Sequence, residues 1–125
     1  MDKPAKVMDF KDLIVWQRAK DLSIEIYKLT RSFPRDEQFG LVSQLRRAGV
    51  SIVSNIAEGF VRNSTKEFIR FLYTALASCA EIEAQFIIAS ELNYVDKGKY
   101  ICITDELKII QKMLNRFIYS LKNKI

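Results

Sequence analysis

The scarcity of turn-forming residues is the strongest constraint on the fold of this chain. Only four glycines and two prolines occur among its 125 residues. A β-sheet protein needs turn residues about every eight to twelve positions, whereas a helical protein needs them only where its helices end. Because 49% of the residues are apolar, the chain can also bury a hydrophobic core, and its length suits one domain. The sequence therefore predicts a single all-α domain over residues 1–125.

Apolar residues recur at intervals of three and four in four segments, which is the spacing of amphipathic helices. The breaks between them carry helix-ending and helix-starting chemistry: Phe33-Pro34, Gly59, the capping-box sequence Ser64-Thr-Lys-Glu67, and a turn that ends in an Asp96 cap. Short connections make neighbouring helices antiparallel, so we expect an up-down-up-down four-helix bundle after a flexible tail at residues 1–9. The predicted helices run from about Asp12 to Thr30, Gln38 to Phe60, Ser64 to Leu92 and Asp96 to Lys122.

Composition argues against several classes of function. Histidine is absent, which removes the usual general base near neutral pH and the commonest metal ligand. Glu58, Glu81 and Glu83 come without a phosphate-binding loop or metal-ligand spacing. We therefore expect no enzymatic activity, no catalytic residues, no metal and no cofactor, and we expect Cys79 and Cys102 to be buried small hydrophobes.

The beginning of the chain and its apolar runs bear on its location. The first twelve residues are charged where a secretory signal needs an apolar stretch. No apolar run approaches the roughly 20 residues that cross a bilayer. We expect a cytoplasmic protein that does not use a membrane as a partner.

A polar stripe runs along the second predicted helix. Placing residues at helical steps brings short hydrogen-bonding side chains together on one face, where ordinary surface would carry more Lys and Glu. Such a stripe suits a packed polar contact between helices or between subunits, and a merely solvated face is the alternative. The stripe consists of Gln44, Arg47, Ser51, Asn55 and Glu58, with Ser43 and Ser54 beside them.

The third predicted helix is unusually apolar. Between Phe68 and Leu92, 17 of 25 residues are apolar when Tyr, Ala and Cys are counted. An outer helix of a monomeric bundle buries one stripe, but this apolar arc covers roughly two thirds of the circumference. The surplus predicts a homo-oligomer that meets along this helix, at Phe86, Ile87 and Ile88, with Glu83 and Ser90 lining a polar seam or marking a second exposed edge.

Two local excesses of positive charge could bind nucleic acid. The formal net charge is +5, which permits binding to RNA or DNA through phosphates. Solvated helix faces are the alternative interpretation. The α3 cluster, at the start of the third helix, is Arg62, Lys66 and Arg70, and the α4 cluster, along the fourth helix, is Lys108, Lys112 and Arg116.

Several motifs in order resemble one known family. The longest is the string Gln44-Leu-Arg-Arg-Ala-Gly-Val-Ser-Ile-Val-Ser-Asn-Ile-Ala-Glu-Gly59. Supporting motifs are Phe10-Lys-Asp-Leu-Ile-Val-Trp16, Phe33-Pro34 and Lys66-Glu-Phe-Ile-Arg-Phe-Leu72. Together they resemble the four-helix bundle proteins encoded in intervening sequences of large-subunit ribosomal RNA genes. Two departures are Val53, where the family usually has proline, and Ala77, where it usually has glycine.

The resemblance implies a four-helix bundle that assembles into a ring, commonly a pentamer, with a proposed role in nucleic-acid binding. The accessory protein of diversity-generating retroelements is similar in architecture, and it binds a reverse transcriptase and its RNA. Neither resemblance implies enzymatic activity. An oligomeric nucleic-acid-binding protein is thus the leading expectation, and a protein-binding scaffold or accessory subunit of a larger complex is the alternative.

Overall fold

A computed structural model of the chain describes residues 9–125 and contains four long helices. No strand occurs in that part of the chain, so the predicted all-α fold with four helices is confirmed. Residues 1–8 of the predicted tail lie outside the described range. Asp9 accepts a hydrogen bond from the Lys11 amide (2.9 Å), in front of a short 3₁₀ turn. The helices are α1 (Ile14–Thr30), α2 (Ser43–Phe60), α3 (Thr65–Glu91) and α4 (Lys97–Lys122).

Side-chain caps begin the last two helices where the sequence predicted them. The Ser64 hydroxyl accepts a hydrogen bond from the Glu67 amide (3.2 Å), and the Asp96 carboxylate accepts one from the Lys99 amide (2.8 Å). Each cap satisfies a backbone donor that the first turn of a helix leaves unpaired. Between these helices, Asn93 takes a left-handed conformation (φ 63°) and ends α3.

The connection between α1 and α2 is more elaborate than expected. A 3₁₀ turn at Arg35–Glu37 leads into a π-helical turn at Gln38–Val42, within which Gly40 has non-helical angles (φ −113°, ψ −112°). The Glu37 carboxylate accepts hydrogen bonds from the Leu41 amide (3.1 Å) and the Tyr94 hydroxyl (3.0 Å). The regular α2 helix therefore begins at Ser43 and not at Gln38.

The core lies between the four helices, and α2 and α3 share the most extensive contact. Neighbours in sequence pack side by side, and α1 closes the bundle against α4. Arg18 and Glu106 join α1 to α4 with two hydrogen bonds of 2.9 Å each. The fully buried large side chains are Ile26, Leu45, Ile52, Ile56, Leu72, Ile82, Phe86, Leu107, Ile110 and Leu114.

The apolar pattern of α1 suggests a buried face that includes Trp16 and Leu29, but the face that the structure buries is rotated from it. Trp16 and Leu29 are only partly buried, whereas Ser23 and Thr30 are buried. Thr30 tolerates burial because its hydroxyl donates a 2.7 Å hydrogen bond to the Ile26 carbonyl. Ser23 is buried because α2 comes close there: a β-carbon added at Gly49 would lie 3.3 Å from the Ser23 hydroxyl oxygen.

By length and composition, α3 is long and apolar enough to cross a membrane. Its 27 residues include an 18-residue window with mean hydropathy 1.3. The expectation that no stretch approaches bilayer length therefore does not hold for α3. The core helix of a bundle passes the same test, and a third of this window is buried among the other helices.

The two cysteines have different surroundings. Cys79 is buried, and removal from water, with a smaller contribution from Glu83, raises the pKa of its thiol to about 12. Cys102 is exposed, so the expectation that both cysteines are buried was wrong for Cys102. The reason is its position: Cys102 precedes the buried Ile103, and one helical step turns it out of the core.

Gly59 allows the end of α2 to approach α3 closely. A β-carbon at this position would lie 2.8 Å from the Phe71 β-carbon and 2.8 Å from a ring carbon of Phe68. The Phe71 β-carbon is fixed by the backbone of α3, so relief would require the helices to separate.

Thiol labelling should distinguish the two cysteines. At pH 8 a thiol with a pKa near 12 is almost entirely protonated, and the thiolate is the reactive form. We expect iodoacetamide to modify one thiol per folded chain, at Cys102, and to reach Cys79 only in denaturant. Cys102→Ser should abolish labelling of the folded protein. Rapid modification of Cys79 in the native state would contradict its burial.

Replacing Gly59 should test the close α2–α3 packing. We expect Gly59→Ala to lower the free energy of unfolding by about 1–3 kcal/mol through overpacking. Gly98→Ala is the matched control, because its β-carbon would meet only Asp96, at an ordinary 3.4 Å. Urea unfolding of both variants at one protein concentration measures the difference, and equal stability of Gly59→Ala and wild type would rule out the close approach.

Candidate nucleic-acid interface

The structure brings much of the two predicted basic clusters to one end of the bundle. The rings of Phe68 in α3 and Phe117 in α4 pack edge to face with their centroids 5.2 Å apart. The Lys122 ammonium donates a 2.7 Å hydrogen bond to the Tyr73 hydroxyl. These contacts place the beginning of α3 beside the last turns of α4, so cations of both helices lie at the same end of the bundle.

The α3 cluster is built around one aromatic ring. The guanidinium carbons of Arg62 and Arg70 lie 4.8 Å and 5.3 Å from the centre of the Phe71 ring. Arg62 also lies 3.8 Å from the Glu67 carboxylate, which offsets part of its charge. Lys66 is exposed. Cation–π contact orients both arginines while leaving guanidinium donors available.

The cations of the α4 cluster are exposed and unpaired. Within residues 9–125, Lys108, Lys112 and Arg116 make no hydrogen bond or ion pair through their side chains. Asp105 is exposed one turn before Lys108, so the positive character is strongest toward the end of α4. These side chains can therefore meet an external anion without first breaking a contact.

Two exposed tyrosines and one lysine extend this surface beyond the residues predicted from sequence. Tyr119 follows Arg116 by one turn and is 69% exposed. Tyr73 is 45% exposed, and the Lys122 ammonium lies 5.2 Å from the centre of its ring. The spacing of Tyr119 after Arg116 was visible in the sequence, but the pairing of Tyr73 with Lys122 depends on how α3 packs against α4. Arg116 borders the groove between α4 and the start of α1, beside Leu13 and Ile14. We call the exposed cations and tyrosines toward this end of α3 and α4 the basic face; they are Lys66, Arg70, Tyr73, Lys112, Arg116, Tyr119 and Lys122.

The polar stripe of α2 divides into a packed part and an exposed part. The Ser78 hydroxyl of α3 donates a 2.8 Å hydrogen bond to the Ser51 hydroxyl, and the Asn55 amide donates to the Ser51 carbonyl (2.8 Å). Ser51 and Asn55 thus serve the contact between α2 and α3. Gln44, Arg47 and Glu58 are exposed, and Arg47 donates a 2.9 Å hydrogen bond to Gln44.

The residues predicted for the oligomer interface do not share one environment. Phe86 has no exposed surface and belongs to the core of the chain, so its assignment to an interface was wrong; the buried positions of α3 turn it inward. Ile87 and Ile88 are 43% and 51% exposed. Glu83 accepts a long 3.5 Å hydrogen bond from Gln111, and Ser90 is half-buried.

An exposed apolar surface remains on the side of α3 that faces away from the core. Ala77, where the family usually has glycine, lies on this side and not at a helix crossing within the chain. Among residues 9–125, no group of three or more acidic or cysteine side chains could hold a metal ion. We call the apolar surface the outer face of α3; it consists of Ala77, Ala80, Ala84, Ile87 and Ile88.

Comparison with known proteins agrees with the motifs and the fold. The model of the 23S rRNA-intervening sequence protein family matches residues 11–116. A crystal structure of a protein of unknown function from the S23 ribosomal protein family of Bacteroides thetaiotaomicron superposes with a TM-score of 0.79 at 25% identity, covering 85% of this chain and 96% of that one. No curated protein matches. The resemblance is confirmed, and the chain belongs to the 23S rRNA-intervening sequence protein family.

Proposed function

We propose that this protein is a non-enzymatic, self-assembling bundle that binds RNA through the basic face. The observation that carries the proposal is the junction of α3 and α4, where the exposed Lys122 and Tyr73 meet, together with the exposed Arg116 and Tyr119 one turn apart on α4. That combination is typical of surfaces that hold single-stranded nucleic acid, in which cations follow the phosphates and rings stack on bases.

The charges of the basic face support binding with little base preference. Lys112 and Arg116 lie one turn apart on α4, about 6 Å along its axis, so successive phosphates of a flexible strand can reach both. Lysine and arginine contacts to phosphate release counterions and carry no information about base identity. Tyr119 and Tyr73 add stacking surface, which every base can use.

Assembly through the outer face of α3 supports the same function. Its alanines permit close approach of a second helix, and Ile87 and Ile88 supply apolar area that water now covers. Monomeric proteins seldom expose a continuous apolar strip of this kind. Association would repeat the basic face once per subunit, so several weak phosphate contacts would act together. A pentamer is the first expectation from the family resemblance, and a dimer follows from the apolar area alone.

A scaffold that binds a protein partner is the second candidate. The exposed part of the α2 stripe, at Gln44, Arg47 and Glu58, supports it, because these groups offer both donors and acceptors beside the rigid Ser51–Ser78 contact. The accessory role with a reverse transcriptase is one form of this function.

Neutralising part of the basic face should weaken RNA binding and flatten its salt dependence. We expect Lys112→Gln with Arg116→Gln to lower affinity for a single-stranded RNA by about tenfold or more. Removing one phosphate-binding cation should reduce the slope of log affinity against log salt by about 0.7. Tyr119→Ala should also lower affinity with little change in slope, since stacking is not electrostatic. Fluorescence anisotropy over a salt series measures these effects.

The matched control is Lys97→Gln with Lys99→Gln, which removes the same charge from the opposite end of α4. Each variant must first show wild-type assembly. If the Lys112/Arg116 variant binds RNA as well as wild type does, while Arg47→Ala loses a protein partner, the scaffold function replaces the RNA-binding function.

A charge on the outer face of α3 should disrupt assembly. In light scattering at micromolar concentration, we expect the wild type to have a mass of at least twice the 14.5 kDa of one chain. We expect Ile88→Glu to reduce that mass to the mass of one chain. Ile101→Glu is the control, because Ile101 is equally exposed (49% against 51%) but lies on α4. A monomeric wild type, or an Ile88→Glu protein that still assembles, would contradict this interface.

A further inference from the structure

A second concentration of positive charge lies at the end of the bundle opposite the basic face. The connection between α1 and α2 forms a pocket of about 300 Å³ there, beside Phe33, whose ring centre is 5.4 Å from that of Tyr94 at the end of α3. Three arginines line this pocket: Arg31, Arg35 and Arg46. No carboxylate is among the lining residues. We call it the arginine pocket.

Arg46 is held in place by the end of α1. Its Nε donates a 3.0 Å hydrogen bond to the Thr30 hydroxyl, and one Nη donates a 3.2 Å bond to the Tyr27 carbonyl. Its guanidinium carbon lies 4.6 Å from the centre of the Tyr27 ring. These contacts use two of the five guanidinium N–H donors, so an oriented cation with spare donors faces the pocket.

The other two arginines have no partner in the part of the chain that the structure describes. The side chains of Arg31 and Arg35 make no ion pair or hydrogen bond with residues 9–125. The acids that follow them in sequence, Asp36 and Glu37, do not line the pocket. The Glu37 carboxylate turns away, toward Leu41 and Tyr94. Three arginines that line one pocket with no carboxylate among its lining residues make the pocket attractive to an anion.

We propose that the arginine pocket is a phosphate-binding site, which takes the phosphate of a nucleotide or of an RNA chain. The planar guanidinium fork matches two phosphate oxygens at once, so a pocket lined by three arginines favours a doubly charged or multidentate anion over chloride. Buried Phe33 and Val42 also line the pocket. The site goes beyond the proposed RNA-binding surface, because none of its residues belongs to the basic face.

Calorimetric titration of the intact protein with AMP, adenosine and inorganic phosphate at constant ionic strength tests the site. We expect AMP and phosphate to bind, adenosine to bind at least about tenfold more weakly than AMP, and Arg31→Gln with Arg35→Gln to reduce AMP affinity by about tenfold. Arg46 stays unchanged because its contacts with α1 also support the fold. Lys97→Gln with Lys99→Gln, which removes equal charge at the same end of the bundle, should bind AMP as wild type does.

A short RNA with a 5′-hydroxyl, which carries only diesters, identifies the source of the phosphate. Reduced binding of AMP by the Arg31/Arg35 variant supports a monoester ligand, and reduced binding of the RNA alone supports the chain backbone. If the variant binds AMP, phosphate and RNA as well as the lysine control does, the arginine pocket is not a phosphate site. Because Arg31 and Arg35 lie outside the basic face, the effect of their substitution on AMP binding tests the arginine pocket alone, so failure of either proposal leaves the other standing.

Discussion

The close packing of α2 against α3 determines the rest of this structure. Gly59 lets the end of α2 approach the β-carbon of Phe71 in α3 closely, and the Ser51–Ser78 hydrogen bond joins the same helices near the middle of each. α2 and α4 together cover the inner surface of α3. Its opposite side stays apolar and exposed, because residues 9–125 supply no fifth long helix to cover it.

The same arrangement separates two kinds of positive charge. At one end, exposed lysines and arginines lie on the surface of regular helices, where they can contact successive phosphates of a flexible nucleic-acid strand. At the other, Arg46 is fixed by Thr30 and Tyr27 within a recess. The first arrangement favours extended, loosely specified contacts, and the second favours one compact group, since preorganised donors lose less entropy on binding.

Local chemistry in the sequence was enough to predict the helices and the caps at Ser64 and Asp96, because each cap depends on residues three positions apart. Prediction failed where contacts between distant residues decide the structure. The π-helical turn that precedes α2 depends on Glu37, whose carboxylate is held by Tyr94, 57 residues away. The burial of Phe86 depends on which part of a broad apolar arc meets α2 and α4, and periodicity alone does not distinguish those parts. The arginine pocket needs Arg31, Arg35 and Arg46 to converge through a turn whose shape the sequence did not reveal.

Because the basic face and the arginine pocket lie at opposite ends of the bundle, its two ends differ in their surface chemistry. Rotation of copies about an axis parallel to α3 would gather every basic face on one rim and every arginine pocket on the other, which makes a two-sided particle. A two-fold axis perpendicular to α3 would instead give both rims one of each. If the chain assembles and binds RNA as proposed, the point-group symmetry would determine whether one RNA molecule could reach both kinds of site from a single side.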